Sequence, residues 1–244
     1  MTLELDSCTY AYRRWQAPIL KDFDYQLPAG LTILLGPNGA GKSTLLRLAA
    51  GVTRPSKGSV RLDGVPSLTK TYRSAVAWMP QTITPMPSLT AREYVAYVGW
   101  LKGMSRADAW REARRSLARV ELAGEAQTRT SRLSGGQLRR VGVAASLVHG
   151  ARILLLDEPT AGMDPHQRRV FRDLLNTLTP DIRVLMSTHD VADLAEDADH
   201  VTVLNKGSIL HTGTTDTFFS HTPPGTVAGR AAEGAYSALL GSTR

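Results

Sequence analysis

The sequence predicts an α/β fold: a core with a mostly parallel sheet, antiparallel strands at its N-terminus, and an inserted helical subdomain. Three observations support this prediction. Apolar runs of strand length, such as "ILLLD" at 153–157 and "RVLMST" at 183–188, alternate with helical segments, as in parallel sheets with crossover helices. Residues 2–27 give short apolar runs separated by a loop, which is typical of antiparallel strands. Residues 82–149 carry a mostly helical pattern.

Cysteine content, hydropathy and charge narrow the class of protein. The single cysteine, Cys8, permits neither an intrachain disulfide nor a cysteine-ligated zinc site. No apolar stretch approaches the roughly 18–20 residues that cross a bilayer, and the start lacks a signal-peptide pattern, so we expect a soluble, cytoplasmic chain. Residues 101–140 hold ten Lys or Arg and four acids. Such a segment fits nucleic acid, an anionic membrane surface or a solvated helix face, and without a run of interleaved aromatics we expect no nucleic-acid partner.

A strand, a phosphate-binding loop and a helix are predicted over residues 31–51. The run "LTILL" is the strand, and the pattern G-x-x-x-x-G-K-[ST] follows it at four residues: Gly36, Gly41, Lys42 and Ser43. Glycine lets the backbone approach a ligand closely, and the start of the helix offers unpaired N–H groups to an anion. Gly51 ends the helix. The core is therefore predicted to be a P-loop nucleoside triphosphatase, a class that kinases, GTPases and motors share.

Two short strands and then a run of helices follow the P-loop unit. The segments "GSVRLDG" and "SAVAWMPQ" are predicted strands, and they end at Gly64 and Pro80. After a proline-punctuated loop, the capping-box sequence "TARE" at 90–93 opens a helix through about Met104. A second helix starts at "SRAD", residues 105–108. These elements form the predicted helical insertion.

A second anion site is predicted at "RLSGGQLRR". Ser134 can cap a helix reciprocally with Gln137, while Gly135 and Gly136 expose the backbone at the start of that helix. By itself this short pattern has low specificity, and it gains meaning from its position between the P-loop and the acidic strand end that follows.

Two adjacent carboxylates end the buried strand "ILLLD". Strand alternation predicts that Asp157 and Glu158 point to opposite sides and have different roles. In P-loop enzymes an acid at this strand end helps to hold Mg²⁺ together with the P-loop hydroxyl, here Ser43. A neighbouring acid can orient or deprotonate the attacking water. The pair is therefore predicted to serve metal binding and catalysis.

The motifs occur together and in one order over roughly residues 1–212. They are the P-loop at 36–44, Gln81, "LSGGQ" at 133–137, the acidic strand end at 153–159, "AGMDP" at 161–165 and "STHD" at 187–190. In this combination the chain resembles the ATP-binding cassette of the ABC transporter family. The resemblance implies an ATPase that uses ATP and Mg²⁺.

The resemblance also implies a role for each motif residue. The ATP-binding residues would be Tyr12, Gly36, Pro37, Asn38, Gly39, Ala40, Gly41, Lys42, Ser43 and Thr44. The Mg²⁺ ligands would be Ser43, Gln81 and Asp157. Glu158 would be the base or water-positioning residue, His189 would hold the γ-phosphate and the attacking water, and Gln81 would approach both metal and water. Tyr12 would stack on adenine, with Tyr10 and Trp15 as alternatives.

Two chains would complete each ATP site, because the family closes ATP between the P-loop of one cassette and the signature of another. The signature residues acting in trans would be Leu133, Ser134, Gly135, Gly136 and Gln137. Asp164 would cross the dimer seam. The sequence departs from the common family pattern at Leu138-Arg139-Arg140 and at Met163, and we expect neither departure to touch a catalytic group.

The expected domain is residues 1–219, with a catalytic core at about 1–81 and 150–219, a helical subdomain at about 82–149, and a linker and short tail at 220–244. The resemblance favours a bacterial-type transport motor, a cytoplasmic subunit that is peripheral on the inner face of the membrane. Its expected partners are a separate permease and a second nucleotide-binding subunit. We expect that second subunit to be another copy of this chain. The tail resembles those of drug- or lipid-export cassettes, which favours export. The alternative is a soluble ABC ATPase acting on ribosomes or DNA, whereas a small-molecule kinase would leave "LSGGQ" unexplained.

Overall fold

The computed structural model describes residues 1–13, 15–191 and 198–241. In chain order the strands are β1 (Leu3–Tyr10), β2 (Leu20–Gln26), β3 (Leu31–Leu35), β4 (Lys57–Leu62), β5 (Val65–Pro66), β6 (Val76–Met79), β7 (Ile153–Asp157), β8 (Arg183–Thr188), β9 (His200–Asn205) and β10 (Ser208–Thr214). The α-helices are α1 (Lys42–Ala49), α2 (Lys70–Ala75), α3 (Ala91–Leu101), α4 (Arg106–Arg119), α5 (Gly135–Leu147), α6 (Pro165–Leu178), α7 (Thr215–Phe219) and α8 (Ala231–Gly241).

Two sheets carry the fold. Six strands form the larger sheet in the order β10-β9-β3-β8-β7-β6, and every neighbouring pair except β10 and β9 is parallel. The smaller sheet, in the order β2-β1-β4-β5, is antiparallel. The predicted α/β fold, with a mostly parallel sheet and antiparallel N-terminal strands, is confirmed.

The central strands of the larger sheet are covered on both faces, which explains their continuous apolar sequences. In β3, Ile33 and Leu35 pack into a cluster with helices α5 and α6, whereas Leu34 packs into a second cluster with α1 and the antiparallel sheet. Strand β7 alternates in the same way, with Leu154 in the first cluster and Leu155 in the second. Successive apolar residues of these strands therefore contribute alternately to two cores.

Helices α3, α4 and α5 pack against one another, and in the sequence they lie between β6 and β7. The predicted capping box is present, since the Thr90 side chain accepts from the backbone N–H of Glu93 and the Glu93 carboxylate accepts from that of Thr90. Ser105 caps α4 through the N–H of Asp108. In the part of the chain that the structure describes, no helix combines the length and the apolar character needed to cross a membrane.

Helix α8 lies in the segment 220–244 that the sequence predicts to be a linker and short tail. Helix α8 buries Ala235 and Leu239 in the same cluster that contains Phe218 of α7. The physical reason is the spacing of four between these two apolar residues, which places them on one face of a helix. Helix α8 therefore packs against the core, whereas most described residues of 220–230 are exposed.

Strand register brings the predicted site residues to one edge. Leu35 at the end of β3 is paired with Thr188 at the end of β8, and Asp157 at the end of β7 is paired with Ser187. Because the strands are parallel, the loops after them emerge side by side. The P-loop, the adjacent carboxylates and His189 therefore meet at the carboxyl edge of the larger sheet.

Candidate functional site

A cavity of about 600 Å³ opens at this carboxyl edge. It is lined by Tyr12, Ile19, Asn38, Gly39, Ala40, Gly41, Lys42, Ser43, Thr44, Gln81, Glu158, Ala161 and His189. The lining combines the predicted adenine residue, the P-loop, the glutamine, the second carboxylate and the histidine. Residues separated by more than 170 positions in the sequence thus share one cavity.

The loop between β3 and α1 depends on its glycines. A Cβ on Gly36 would lie 2.3 Å from the carbonyl oxygen of Leu204, so only glycine allows this close approach. Gly39 and Gly41 have positive φ angles of 80° and 109°, which side-chain-bearing residues rarely adopt. Gly41 is also the N-cap of α1 and provides no side-chain cap, so the first N–H groups of the helix are available to an anion.

Lys42 lies inside this loop and is 5% exposed. Its Nζ donates to the carbonyl oxygens of Gly36 at 2.6 Å and Pro37 at 3.3 Å, and lies 3.7 Å from Oε1 of Glu158. Burial lowers the pKa of Lys42, and the charge of Glu158 opposes that shift. Among the described residues that line the cavity, Lys42 is the one lysine or arginine.

Asp157 is 3% exposed and is held by two hydroxyls. Ser43 Oγ donates to Oδ1 of Asp157 at 3.0 Å, and Ser187 Oγ donates to the same oxygen at 2.9 Å. A carboxylate beside a hydroxyl offers the hard oxygen donors that Mg²⁺ prefers. The described residues contain no group of three or more His, Cys, Asp or Glu side chains that could hold a metal. The donor set therefore fits an ion that takes its remaining ligands from phosphate oxygens and water.

Three other side chains lie around the carboxylate of Glu158. Gln81 Nε2 donates to its Oε2 at 3.1 Å, and His189 Nδ1 lies 3.2 Å from its Oε1, the oxygen that also faces Lys42. Strand alternation between Asp157 and Glu158 does not apply as predicted, because β7 ends at Asp157 and Glu158 has a positive φ of 44°. This left-handed residue turns the second carboxylate toward Gln81 and His189.

The structure distinguishes the three aromatic candidates for the adenine. Tyr12 lines the cavity, and its hydroxyl lies 3.1 Å from Oγ1 of Thr44 in α1. Arg47 Nη1 donates to the same hydroxyl at 3.4 Å. Tyr10 and Trp15 do not line the cavity, and Trp15 is 79% exposed. Within one chain, Tyr12 is the candidate that the fold positions beside the P-loop.

The signature residues lie at a different cavity, of about 290 Å³. Ser134 Oγ accepts from the N–H of Gln137 at 3.2 Å and Gln137 Oε1 accepts from the N–H of Ser134 at 2.9 Å, so the reciprocal cap of α5 is present. Ser134, Gly136 and Gln137 line this cavity, and within the described part of the chain no residue lines both cavities. Asp164 caps α6 through the N–H of Gln167 at 2.8 Å, beside the same cavity.

Two residues to which the sequence motifs gave no role of their own also contact the site. The expectation that the departure at Leu138-Arg139-Arg140 touches no catalytic group is corrected, because the guanidinium of Arg139 donates to the backbone carbonyl of Gln81. Ser187 is fully buried, donates to Asp157, and accepts from the N–H of Glu158 at 3.0 Å. The sequence signal for Ser187 is its place in the motif "STHD" at 187–190, two residues before His189.

Ser187→Ala is expected to destabilise the protein by about 1–3 kcal/mol, because it leaves the Glu158 N–H without its acceptor and removes a donor from a buried carboxylate. Denaturant unfolding of the parent and the variant measures this difference. Ser74→Ala is the matched control, since the exposed Ser74 hydroxyl donates at 2.8 Å to the carbonyl of Thr71 in its own helix and, among the described residues, to no other group. If the Ser187→Ala variant is as stable as this control, the hydrogen bonds of Ser187 to the Asp157 carboxylate and to the Glu158 N–H do not stabilise the fold.

Comparisons with known proteins agree with this geometry. A family model described as ABC transporter matches residues 20–161. The chain is 36% identical over 216 residues to the taurine import ATP-binding protein TauB of Pseudomonas entomophila, and the match covers 85% of this chain and 82% of that protein. It is also 36% identical over 201 residues to ATP-binding cassette sub-family A member 17 of Rattus norvegicus, covering 80% of this chain but 11% of that much longer protein.

A solved structure shares the fold as well as part of the sequence. It is a dimeric ATP-binding cassette in a post-hydrolysis state bound to ADP and Pi, with a TM-score of 0.76 and 27% identity. The match covers 87% of this chain and 98% of that one. Because the family model matches more than half of the sequence and the relatives align over most of it, this chain belongs to the ABC transporter family.

Proposed function

We propose that this chain is the ATP-hydrolysing motor subunit of an ABC transporter, which dimerises around two ATP molecules and drives a separate membrane permease. One observation carries the proposal: the P-loop and the signature line two different cavities of the same chain. Each is an anion site at a helix N-terminus, and each is incomplete alone. A second chain, with its signature over the first chain's P-loop, would complete both.

The chemistry proposed for this site depends on position and charge. The P-loop N–H groups and Lys42 hold the phosphates, and Ser43 and Asp157 would hold Mg²⁺, which neutralises developing negative charge when bound. Glu158 accepts the proton of the attacking water or orients that water, since its carboxylate is aimed by Gln81 and faces His189. His189 contacts the γ-phosphate and the same water. Tyr12 stacks on the adenine.

Mixing two inactive variants tests the shared sites. Ser134→Arg breaks the signature and Lys42→Ala breaks the P-loop, so a mixed dimer has one site with both defects and one intact site. Equal mixing is expected to restore about a quarter of the parent ATPase rate, because half of the dimers are mixed and each has one working site. A steady-state phosphate-release assay measures the rate.

The matched control combines both substitutions in one chain and mixes it with Lys42→Ala, a pairing that contains no intact site. Activity in the first mixture but not in the second would support sites shared between chains. If the first mixture is no more active than either variant alone, the proposed dimer mechanism is wrong.

The permease and the direction of transport form the second part of the proposal. The relative from Pseudomonas is named as a taurine import protein, whereas the C-terminal tail of this chain favours export. Copurification from the native membrane tests both points. A lone permease would support export, and an accompanying extracytoplasmic binding protein would mean import. Ribosomes or DNA in place of a permease would favour the alternative, a soluble ABC ATPase.

A further inference from the structure

A groove of about 340 Å³ lies between α3 and α4. Three aromatic side chains line it: Tyr97 and Trp100 of α3, and Trp110 of α4. In the described part of the chain, none of its lining residues lines the P-loop cavity or the signature cavity. The groove therefore belongs to a surface that the ATP chemistry does not use.

The aromatic side chains of this groove are exposed. Of the nine large apolar side chains that are exposed among the described residues, four lie in the short stretch from 97 to 110. They are Tyr97, Trp100, Leu101 and Trp110, with exposed fractions between 38% and 60%. The ring centres of Tyr97 and Trp100 lie 6.0 Å apart. A cluster of exposed apolar side chains with a polar rim is typical of a surface that binds a protein or a membrane.

Basic side chains form the rim of this cluster. Residues 91–119 contain seven Lys or Arg and three acids. Cζ of Arg92 lies 4.0 Å from the ring centre of Trp110, and Arg92 Nη2 donates to the backbone carbonyl of Trp110 at 3.0 Å. Arg106 lines the groove, and Arg114, one turn after Trp110, lies on the same side of α4. The exposed rings are therefore flanked by positive charge along both helices.

Each of the three acids in this stretch is already engaged. The Glu93 carboxylate accepts from the N–H of Thr90 at 2.7 Å and from its hydroxyl at 2.9 Å, and these bonds lower the pKa of Glu93. Asp108 and Glu112 each pair with another arginine of α4.

Two arginines are left without such a partner. Over the ranges that the structure describes, neither Arg106 nor Arg114 has an acid within ion-pair distance. Their guanidinium groups are therefore available to anions from outside the chain.

We propose that this aromatic and basic face, formed by Tyr97, Trp100, Arg106, Trp110 and Arg114, binds the surface of an anionic lipid bilayer. The rings of Trp and Tyr have an apolar body and a polar tip, and such rings are enriched at the headgroup level of membranes. Guanidinium groups bind phosphate oxygens through paired hydrogen bonds. This lipid contact goes beyond the proposed function, because it uses neither nucleotide site and no permease residue.

The extent of the charge favours a bilayer over a compact acidic partner. Helix α4 has 14 residues, and its five arginines extend from Arg106 to Arg119, a length of about 20 Å. A bilayer presents anionic phosphates along that whole length. A single protein segment seated in the groove would leave Arg114, which lies outside the groove lining, without a counter-charge.

Sedimentation of the full chain with lipid vesicles tests the contact. The chain is expected to bind vesicles of phosphatidylcholine mixed equally with phosphatidylglycerol, and not vesicles of phosphatidylcholine alone. Combining Arg106→Gln with Arg114→Gln should lower the affinity about 30-fold, because each positive charge near an anionic surface contributes about 5-fold. The matched control combines Arg54→Gln with Arg61→Gln, which removes two exposed charges elsewhere and should bind as the parent does. Equal binding to both kinds of vesicle, or equal binding by the two double variants, would contradict the proposal.

Quenching of tryptophan fluorescence by brominated lipid locates the contact. Trp15→Phe removes the exposed tryptophan outside this face, and the resulting chain should be quenched by anionic vesicles that contain brominated phosphatidylcholine. Adding Trp100→Phe and Trp110→Phe should remove most of this quenching while the chain still sediments with the vesicles. Quenching that persists in the triple variant would place the lipid contact elsewhere and overturn the proposal.

The same variants separate the lipid contact from the proposed function. The chain with Arg106→Gln and Arg114→Gln should hydrolyse ATP at the parent rate when no lipid is present. If the parent chain does not bind anionic vesicles but Trp100→Ala lowers the yield of copurified permease, this face is a protein interface and the lipid contact is wrong. If the parent does not bind vesicles and Trp100→Ala changes nothing, the lipid contact is also wrong. In both cases the motor function stands, because the mixing of Ser134→Arg and Lys42→Ala chains tests it independently.

Discussion

Glu158→Gln is expected to bind ATP and to hydrolyse it about 10²- to 10⁴-fold more slowly than the parent, which is the usual cost of removing a general base. Glutamine is nearly isosteric and keeps an oxygen for Gln81, but it has no charge with which to activate water. The substitution also removes the anion that lies 3.7 Å from Lys42 Nζ. The γ-phosphate then does not compete with a carboxylate for the Lys42 ammonium. Because the variant binds ATP but hydrolyses it slowly, it should accumulate as an ATP-bound dimer.

Single-turnover hydrolysis and size-exclusion chromatography with ATP measure the two parts of this prediction. Glu233→Gln, a change to an exposed acid on α8, is the matched control and should behave as the parent. A Glu158→Gln protein that retains more than about a tenth of the parent rate would remove Glu158 from the base role. A slow variant that stays monomeric with ATP would instead contradict the shared-site dimer.

Features that depend on neighbouring residues could be predicted from the sequence. The P-loop follows from a glycine pattern between a strand and a helix, and the caps at Thr90, Ser134 and Asp164 each use a side chain three residues from the N–H that it accepts from. Such hydrogen bonds close within one turn, so local sequence determines them. The mostly parallel pairing of the larger sheet also follows from the alternation of apolar runs with helices.

Features that depend on register or on tertiary contact could not be predicted. The hydroxyl of Ser187 reaches Asp157 because β7 and β8 are paired at those two residues, and no spacing along the chain encodes that pairing. Arg139 meets the carbonyl of Gln81 across 58 positions. The left-handed backbone of Glu158 lies one residue past the strand, where a pattern of alternation no longer applies. Each of these contacts requires elements that are distant in sequence.

Lys42→Ala is expected to lower ATP affinity about 10- to 100-fold, because a hydrogen bond to a charged group contributes about 1.5–3 kcal/mol. No other lysine or arginine among the described cavity-lining residues can replace it. Removal of the Lys42 ammonium also leaves Glu158, whose side chain is 13% exposed, without its lysine partner. The negative charge of Glu158 then repels the incoming phosphates. Equilibrium titration with a fluorescent ATP analogue measures the affinity.

The size of the loss depends on the geometry of Lys42 as well as on its charge. Lys42→Arg keeps a cation, but a planar guanidinium cannot reproduce the two short-range bonds of Nζ to the carbonyls of Gly36 and Pro37 inside a 5% exposed site. It is therefore expected to bind ATP more weakly than the parent, whereas Lys21→Ala on the exposed side of β2 should not. Thermal unfolding of each variant separates lost affinity from lost structure. Unchanged affinity in a folded Lys42→Ala protein would mean that this loop is not the phosphate site.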